Sequence, residues 1–388
     1  MATRLAVLPV LVLAASCVIT EPPLPPPPPP PPPGAEPELV GSVPIPPTYG
    51  IHDTYVRDGL AFVSAWNAGL IIYDVGDGRR GGSPANPVEI SRIVTNANGV
   101  PGGAAVHNAW WFHNPVRGEQ RYVFVGQEGP ASLFSSASGD LHVVDVSDLA
   151  NPMEVASLRI PGAGVHNVWM DESAERLYAA WYNGGVVVLD VSGTLAGDLT
   201  SRIVARVQPG GAGQTFVWGV MLANGALWAN DIVSGFWKLD PTDLSTLGGG
   251  GNVPDRWGSD LWVRGDYAYT GTWGGTARGG NYGDVLKIWR ISGAAPALVD
   301  SVKFAGIRTV SDVEVSDDGT LLVVTKERDT QAGFSAYDLT NPAAPTLRYS
   351  VVVPEGLHTG TLARIGGERY LFAAKNPPEP ALQIYRLP

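Results

Sequence analysis

Four of the six histidines stand at one recurring position, each at the head of an apolar run: His52-Asp53, His107-Asn108, His166-Asn167 and His358-Thr359. Neutral imidazoles bind zinc, copper and iron at about 2.0 to 2.1 Å, so three or four converging side chains would form an all-nitrogen site for one such ion. Asp53, Asn108 and Asn167 are the expected partners of that site, each fixing the tautomer of an adjacent imidazole. With one cysteine, Cys17, the chain has no thiolate zinc site, iron–sulfur cluster or disulfide framework. A plainer origin for the pattern is common descent of the repeats, each imidazole bonding a neighbouring unit. His113 and His142 are out of phase and read as loop and strand residues.

The elements that must position these residues repeat about every fifty residues from Pro37 onward. The opening strands align as His52–Val56, His107–Trp111, His166–Met170, Trp218–Leu222, Ser259–Val263, Ser311–Val315 and His358–Leu362. Gly-containing turns, such as Asp58-Gly59 and Asn224-Gly225, lead to a second strand; a third ends at Asp74, Asp145, Asp190 or Asp338, and a fourth follows. Four antiparallel strands per unit with no helix between them predict an all-β fold, a seven-bladed β-propeller. The seventh unit supplies three strands, the third being Leu382–Arg386. Leu39–Val43 has the form of Leu298–Val302 and is expected to complete that blade, closing the ring from the N-terminal side and removing its open edges.

If opening strands run away from one face and second strands return, that face collects the four histidines with Trp218, Ser259 and Ser311. It also receives Trp66, Gln127, Glu128, Trp181, Asp231, Trp273, Lys326, Glu327, Arg328 and Lys375 from the ends of second strands and the loops after them. Trp66, Trp181, Trp218, Trp273, Asp231, Asp260 and Asp312 are therefore the expected ligand-face residues, the indoles offering flat surfaces to a glycan or protein. Trp110, Trp169 and Trp262 align within opening strands and are expected to fill the wedges between blades. Asp145, Asp148, Asp190 and Asp338 read as turn caps that accept backbone N–H groups two residues on, in preference to calcium ligands.

These motifs resemble the LVIVD-repeat family of bacterial envelope β-propellers, in His52-Asp53 with Gly59-Leu-Ala-Phe-Val63, Val144-Asp-Val-Ser-Asp148 with Asn151-Pro152, and Tyr337-Asp-Leu-Thr-Asn-Pro342. The fourth unit, with Lys238-Leu-Asp-Pro-Thr-Asp243, departs most. The resemblance implies the architecture and, through it, an envelope setting; propellers host many unrelated tasks, so it assigns no activity.

The N-terminal segment points to the same setting. Arg4 and the apolar run Leu5–Ala15 read as an export signal over residues 1–16, too short to span a bilayer. Leu13-Ala14-Ala15-Ser16-Cys17 resembles a lipobox, which makes Cys17 the expected lipidation site. Within residues 17–37, Pro22 to Pro33 holds eleven prolines in twelve residues, a polyproline II spacer of about 3.1 Å per residue. Residues 38–388 form the propeller. Val18 in place of the Asp that resembles an inner-membrane retention signal favours the outer membrane or cell surface.

A net charge of −11 with no basic cluster argues against nucleic acid as a partner. No Gly-x-Ser-x-Gly elbow, His-Glu-x-x-His pair or phosphate-binding Gly-Lys loop is present. The expected function is a binding or scaffold module for an envelope protein or glycan, touching the membrane only through its lipid. The alternative is a metal-dependent oxidoreductase or hydrolase built on the histidines.

Overall fold

The computed structural model describes residues 36–46, 50–95, 105–133, 135–251, 255–274 and 282–388. The expected export signal, Cys17 and the proline run lie outside the described residues. Seven sheets, each built on four antiparallel strands, make up the fold of the described residues, and their inner strands touch in sequence around a closed ring. These inner strands are Asp53–Arg57, Ala105–Asn114, Val168–Asp171, Val217–Ala223, Trp257–Arg264, Thr309–Val315 and Leu357–Ile365, in blades one to seven. No helix among the described residues is long and apolar enough to cross a membrane.

Closure runs as the repeats predict. Glu38–Pro44 pairs antiparallel with Ala381–Leu387, from Glu38 opposite Arg386 to Pro44 opposite Ala381, and supplies the outer strand of blade seven. Each blade is apolar on both faces because both are covered by neighbours. In the core shared by blades two and three, Phe112, Phe124, Leu141 and Val143 meet Leu177, Ala179, Trp181 and Val187, all buried. The turn aspartates behave as caps: Oδ1 of Asp145, Asp148, Asp190 and Asp338 accepts from the N–H of Ser147, Ala150, Ser192 and Thr340 at 2.7 to 2.9 Å.

Blade two carries a fifth strand that the repeat pattern does not announce. Gly197–Asp198, from the loop that follows the third strand of blade three, pairs parallel with Met153–Leu158 at Ala156 and Ser157. It covers an outer edge that would otherwise be open.

The heads of the inner strands are bulged, and this positions the site. His52 N–H donates to the Ser64 carbonyl while Asp53 is the register partner of the same Ser64. His166 N–H donates to Ala180, whose own N–H donates to the Asn167 carbonyl. The register shifts between Val106 and Asn108, Val217 and Gly219, Gly258 and Leu261, Val310 and Val313, and Leu357 and Gly360. Two residues opposing one break the strict alternation of a strand, so consecutive side chains can both turn to the channel. The first joins a layer at the channel mouth and the second a layer beneath it.

Candidate functional site

The mouth layer is an unbroken arc of rings. Centroids are 4.1 Å apart for His358 and His52, 3.8 Å for His52 and His107, 4.2 Å for His107 and His166, and 4.6 Å for His166 and Trp218. Trp273 continues the arc 5.9 Å beyond Trp218. All of these rings except His107 border a cavity of about 540 Å³ whose wall also holds Trp66, Glu128, Tyr182 and Glu327.

The nitrogens converge. His358 Nε2 lies 2.7 Å from His52 Nε2. Glu128 Oε2 is 3.9 Å from His52 Nε2 and 3.8 Å from His107 Nε2. His52, His107 and Glu128 each offer one ligand atom, all within 4.8 Å of one another. Bonds near 2.1 Å place tetrahedral donors about 3.4 Å apart, so a small inward shift of Glu128 would close this set on one ion. His107 is 1% exposed and neither of its ring nitrogens has a hydrogen-bond partner; His52 Nδ1 is likewise buried without one.

Two other imidazoles are oriented from behind. His166 Nδ1–H donates to the Trp218 carbonyl at 2.5 Å, leaving the lone pair on Nε2. His358 Nδ1 meets the buried carboxylate of Glu327, with Ser311 Oγ 3.1 Å from the same nitrogen. A carboxylate behind an imidazole is the arrangement that aims and strengthens a metal-ligating histidine. Glu128 is steadied by Tyr182, whose hydroxyl donates to Oε1 at 2.6 Å.

Electrostatics keep the ligands ready for a cation. Burial, then repulsion among the neighbouring imidazoles, holds His52 and His107 well below the usual imidazole value. Burial holds His166 down to about 3 although the Trp218 carbonyl opposes it. Neutral imidazole is the metal-binding form, so no proton need leave these rings near neutrality.

The four histidines meet as their spacing predicts, whereas several other expected site residues lie elsewhere. Asp53, Asn108 and Asn167 do not orient the imidazoles. Asp53 Oδ1 accepts from Thr54 N–H, Asn108 Nδ2 donates to the His166 carbonyl, and Asn167 Nδ2 donates to Asp260 Oδ1. They belong to the second layer, because the bulge turns the residue after each histidine away from the mouth. Asp260 and Asp312 line the same lower chamber, not the ligand face.

Trp181 is fully buried in the core between blades two and three. The turns Ala65–Gly69 and Trp181–Gly185 are equivalent, each closed by the N–H of its first residue on the glycine carbonyl, so Trp66 matches Tyr182 and not Trp181. A one-residue offset reverses the side chain. Trp66 and Tyr182 share φ of 44° and 37°, in the left-handed region that bulky residues avoid. Both aromatics are held there over the mouth. Gly69 and Gly185 follow at φ of 89° and 87°, where a Cβ would meet the Ile93 and Val207 carbonyl oxygens at 2.2 and 1.9 Å. Asp231 is buried and accepts from the backbone N–H groups of Phe216, Val233 and Ser234, a structural role. Trp66, Trp218 and Trp273 do border the mouth cavity. Trp110, Trp169 and Trp262 flank the cores and also face the lower chamber. His113 lies in the inner strand of blade two, and His142 is buried in that blade's third strand with Nδ1 2.7 Å from Glu154.

Glu128, Glu327 and Tyr182 carry roles that the histidine pattern does not reveal. Glu128 and Glu327 each end a second strand. The signal available in the sequence is an acid where equivalent second strands lead to an aromatic.

The LVIVD repeat is matched at residues 136–159, in blade two, and 256–276, in blade five. No curated protein matches the sequence. Among solved structures, a chain of the mitotic checkpoint complex is similar with a TM-score of 0.61 and 12% identity, over 97% of this chain and 99% of that one. The Cps50 (Swd1) β-propeller domain of Myceliophteria thermophila gives a TM-score of 0.59 and 10% identity, over 91% and 100%. The computationally designed Ika8 protein gives 0.53 and 10%, over 87% and 84%. At these identities the likeness is one of fold alone.

Proposed function

We propose that this chain is a tethered extracytoplasmic propeller module that binds one transition-metal ion, zinc, copper or iron, at its channel mouth and uses the surrounding aromatic recess to hold an envelope protein or glycan. The supporting observation is His107, a buried imidazole with no partner on either nitrogen, whose ligand atom lies within 4.8 Å of those of His52 and Glu128. An unpaired buried polar group costs about 1 to 3 kcal/mol, a cost that a bound ion removes. His52, His107 and Glu128 are the ligands on this reading, with His358 beside His52 as a fourth and His166 completing the arc. Nitrogen and carboxylate donors without a thiolate suit zinc, copper or iron better than calcium or magnesium.

A second reading, catalysis at that ion, is favoured by the asymmetry of the arc. Across the ring, Ser259 Oγ is occupied by the Val310 carbonyl and Ser311 Oγ by His358 and Glu327, so the ion would face the cavity on an open side. There it would supply Lewis acidity, while Trp218, Trp273 and Tyr182 positioned the bound molecule.

Lipidation of Cys17 and the proline run would place the ring on the outer membrane or cell surface. Metal analysis of the purified protein tests the central statement. About one zinc, copper or iron ion per chain is expected, lost in His107→Ala. A protein that retains none of these ions after reconstitution would leave the binding module without its metal.

A further inference from the structure

Beneath the histidine layer lies a second chamber of about 260 Å³. One part of its wall is acidic: Asp53, Asp260, Asp312 and Glu314 come from blades one, five and six. The rest is aromatic. Tyr55 and Trp110 have centroids 5.2 Å apart, Trp110 and Trp169 5.2 Å, and Trp169 and Trp262 6.0 Å, a continuous band from blade one through blades two and three to blade five.

The four carboxylates lack a counter-charge. No lysine or arginine lines the chamber, and none of the four takes part in an ion pair among the described residues. Asp260 and Asp312 hydrogen-bond each other, and Asp53 bonds Thr359; beyond these, Asp260 Oδ1 accepts from Asn167, Asp312 Oδ2 from Gly360 N–H, and Glu314 Oε2 from Leu362 N–H. Burial and the charge of Asp312 push Asp260 and Glu314 well above the carboxylate range, so the chamber by itself favours their protonated form. A cation in their midst would draw these acids back into the ionised form and pair with them.

The form of that cation follows from the walls. Among the described residues only His52, His107 and Glu128 bring three ligand atoms near one point, so the lower acids do not converge as a metal ion requires. Four acids spread over a chamber of this size, able to ionise around a bound cation and faced by indole and phenol rings, suit a larger, weakly hydrated charge. Ammonium groups bind over such ring faces, with carboxylates supplying the remaining attraction.

We propose that the lower chamber binds a compact organic ammonium ion, seated on Trp110, Trp169 and Trp262 and neutralised by Asp260, Asp312 and Glu314. This site is separate from the metal reading and stands without it. Its indoles are partly exposed, so they can both receive the ligand and report it.

Full-length protein titrated with choline, and in parallel with its uncharged isostere 3,3-dimethylbutan-1-ol, tests the proposal by tryptophan fluorescence and calorimetry. Choline is expected to bind at least about tenfold more tightly than the isostere, since only the charge differs. Trp169→Leu and the double change Asp260→Asn with Asp312→Asn should each weaken choline at least about tenfold. The double variant should melt no lower than the parent, because it removes repulsion; a purely structural acid pair would instead show a fall. Three outcomes overturn the proposal: equal binding of choline and isostere, displacement of choline by calcium at equimolar concentration, or no response to choline, tetramethylammonium or benzylammonium up to about 10 mM. The same titration on metal-stripped protein keeps this result independent of the mouth.

Discussion

His358 and His52 face each other Nε2 to Nε2 at 2.7 Å across the seam where the ring closes. One belongs to blade seven, completed by Glu38–Pro44, and the other heads blade one. The joint that ties the fold shut is thus also the joint that brings two metal-site candidates together.

Deleting residues 38–44 tests that connection. The outer strand of blade seven would be lost, exposing Leu382 and Ile384 and unpairing a row of backbone groups at about 1 to 3 kcal/mol for each one left buried. A fall of about 10 °C or more in melting temperature, or aggregation, is expected, with loss of bound metal. An equally stable truncated protein would show that the seam does not depend on this strand.

Glu327→Gln separates orientation from ligation. Glu327 reaches His358 Nδ1 from behind, and Gln keeps its size while removing the charge. Metal affinity should fall about 10- to 100-fold with the melting temperature of the apo protein little changed. Competition against a chromophoric chelator measures this, and an unchanged affinity would remove His358 from the ligand set. Tyr182→Phe, which removes one hydrogen bond from Glu128 Oε1, should have a smaller effect in the same direction.

Seven blades, their order and the closing strand were legible because each depends on a pattern repeated many times, and one misplaced residue does not alter the period. The site was legible to the depth of its histidines. Below that level it turns on one-residue decisions. A bulge at each inner-strand head sends Asp53, Asn108 and Asn167 to the lower chamber, away from the imidazoles they follow in sequence. The offset between Trp181 and Tyr182 exchanges a core residue for a cavity residue, and both are aromatic, so hydrophobicity does not tell them apart. Glu128 and Glu327 gain meaning only when histidines from other blades close over them.

Cys17→Ser should release the protein from membranes into the soluble envelope fraction without changing its melting temperature, since the first strand of the ring begins at Glu38. Fractionation of cells carrying the variant measures this. Retention in the membrane fraction would mean that something other than a lipid holds the chain there.

The channel predicts opposing pH dependences for the stability of the metal-free protein. His166 is held to about 3 in the folded chain against an ordinary value of 6.5, by burial. Between these values the unfolded chain binds a proton that the native ring refuses, so stability falls as pH drops from about 6.5 towards 3. Asp260 and Glu314 are shifted upwards by burial and by the charge of Asp312. Above the usual carboxylate range the unfolded chain has released these protons while the native one still holds them, so stability falls as pH rises from about 4. The two slopes oppose each other and should give a melting-temperature maximum in the mildly acidic range. Asp260→Asn should raise the curve at pH 8 by a few degrees and leave it nearly unchanged at pH 4, where the carboxyl is protonated in native protein. Melting curves across pH 3 to 9 decide the matter, and an Asp260→Asn gain equally large at both ends would show that charge is not its cause.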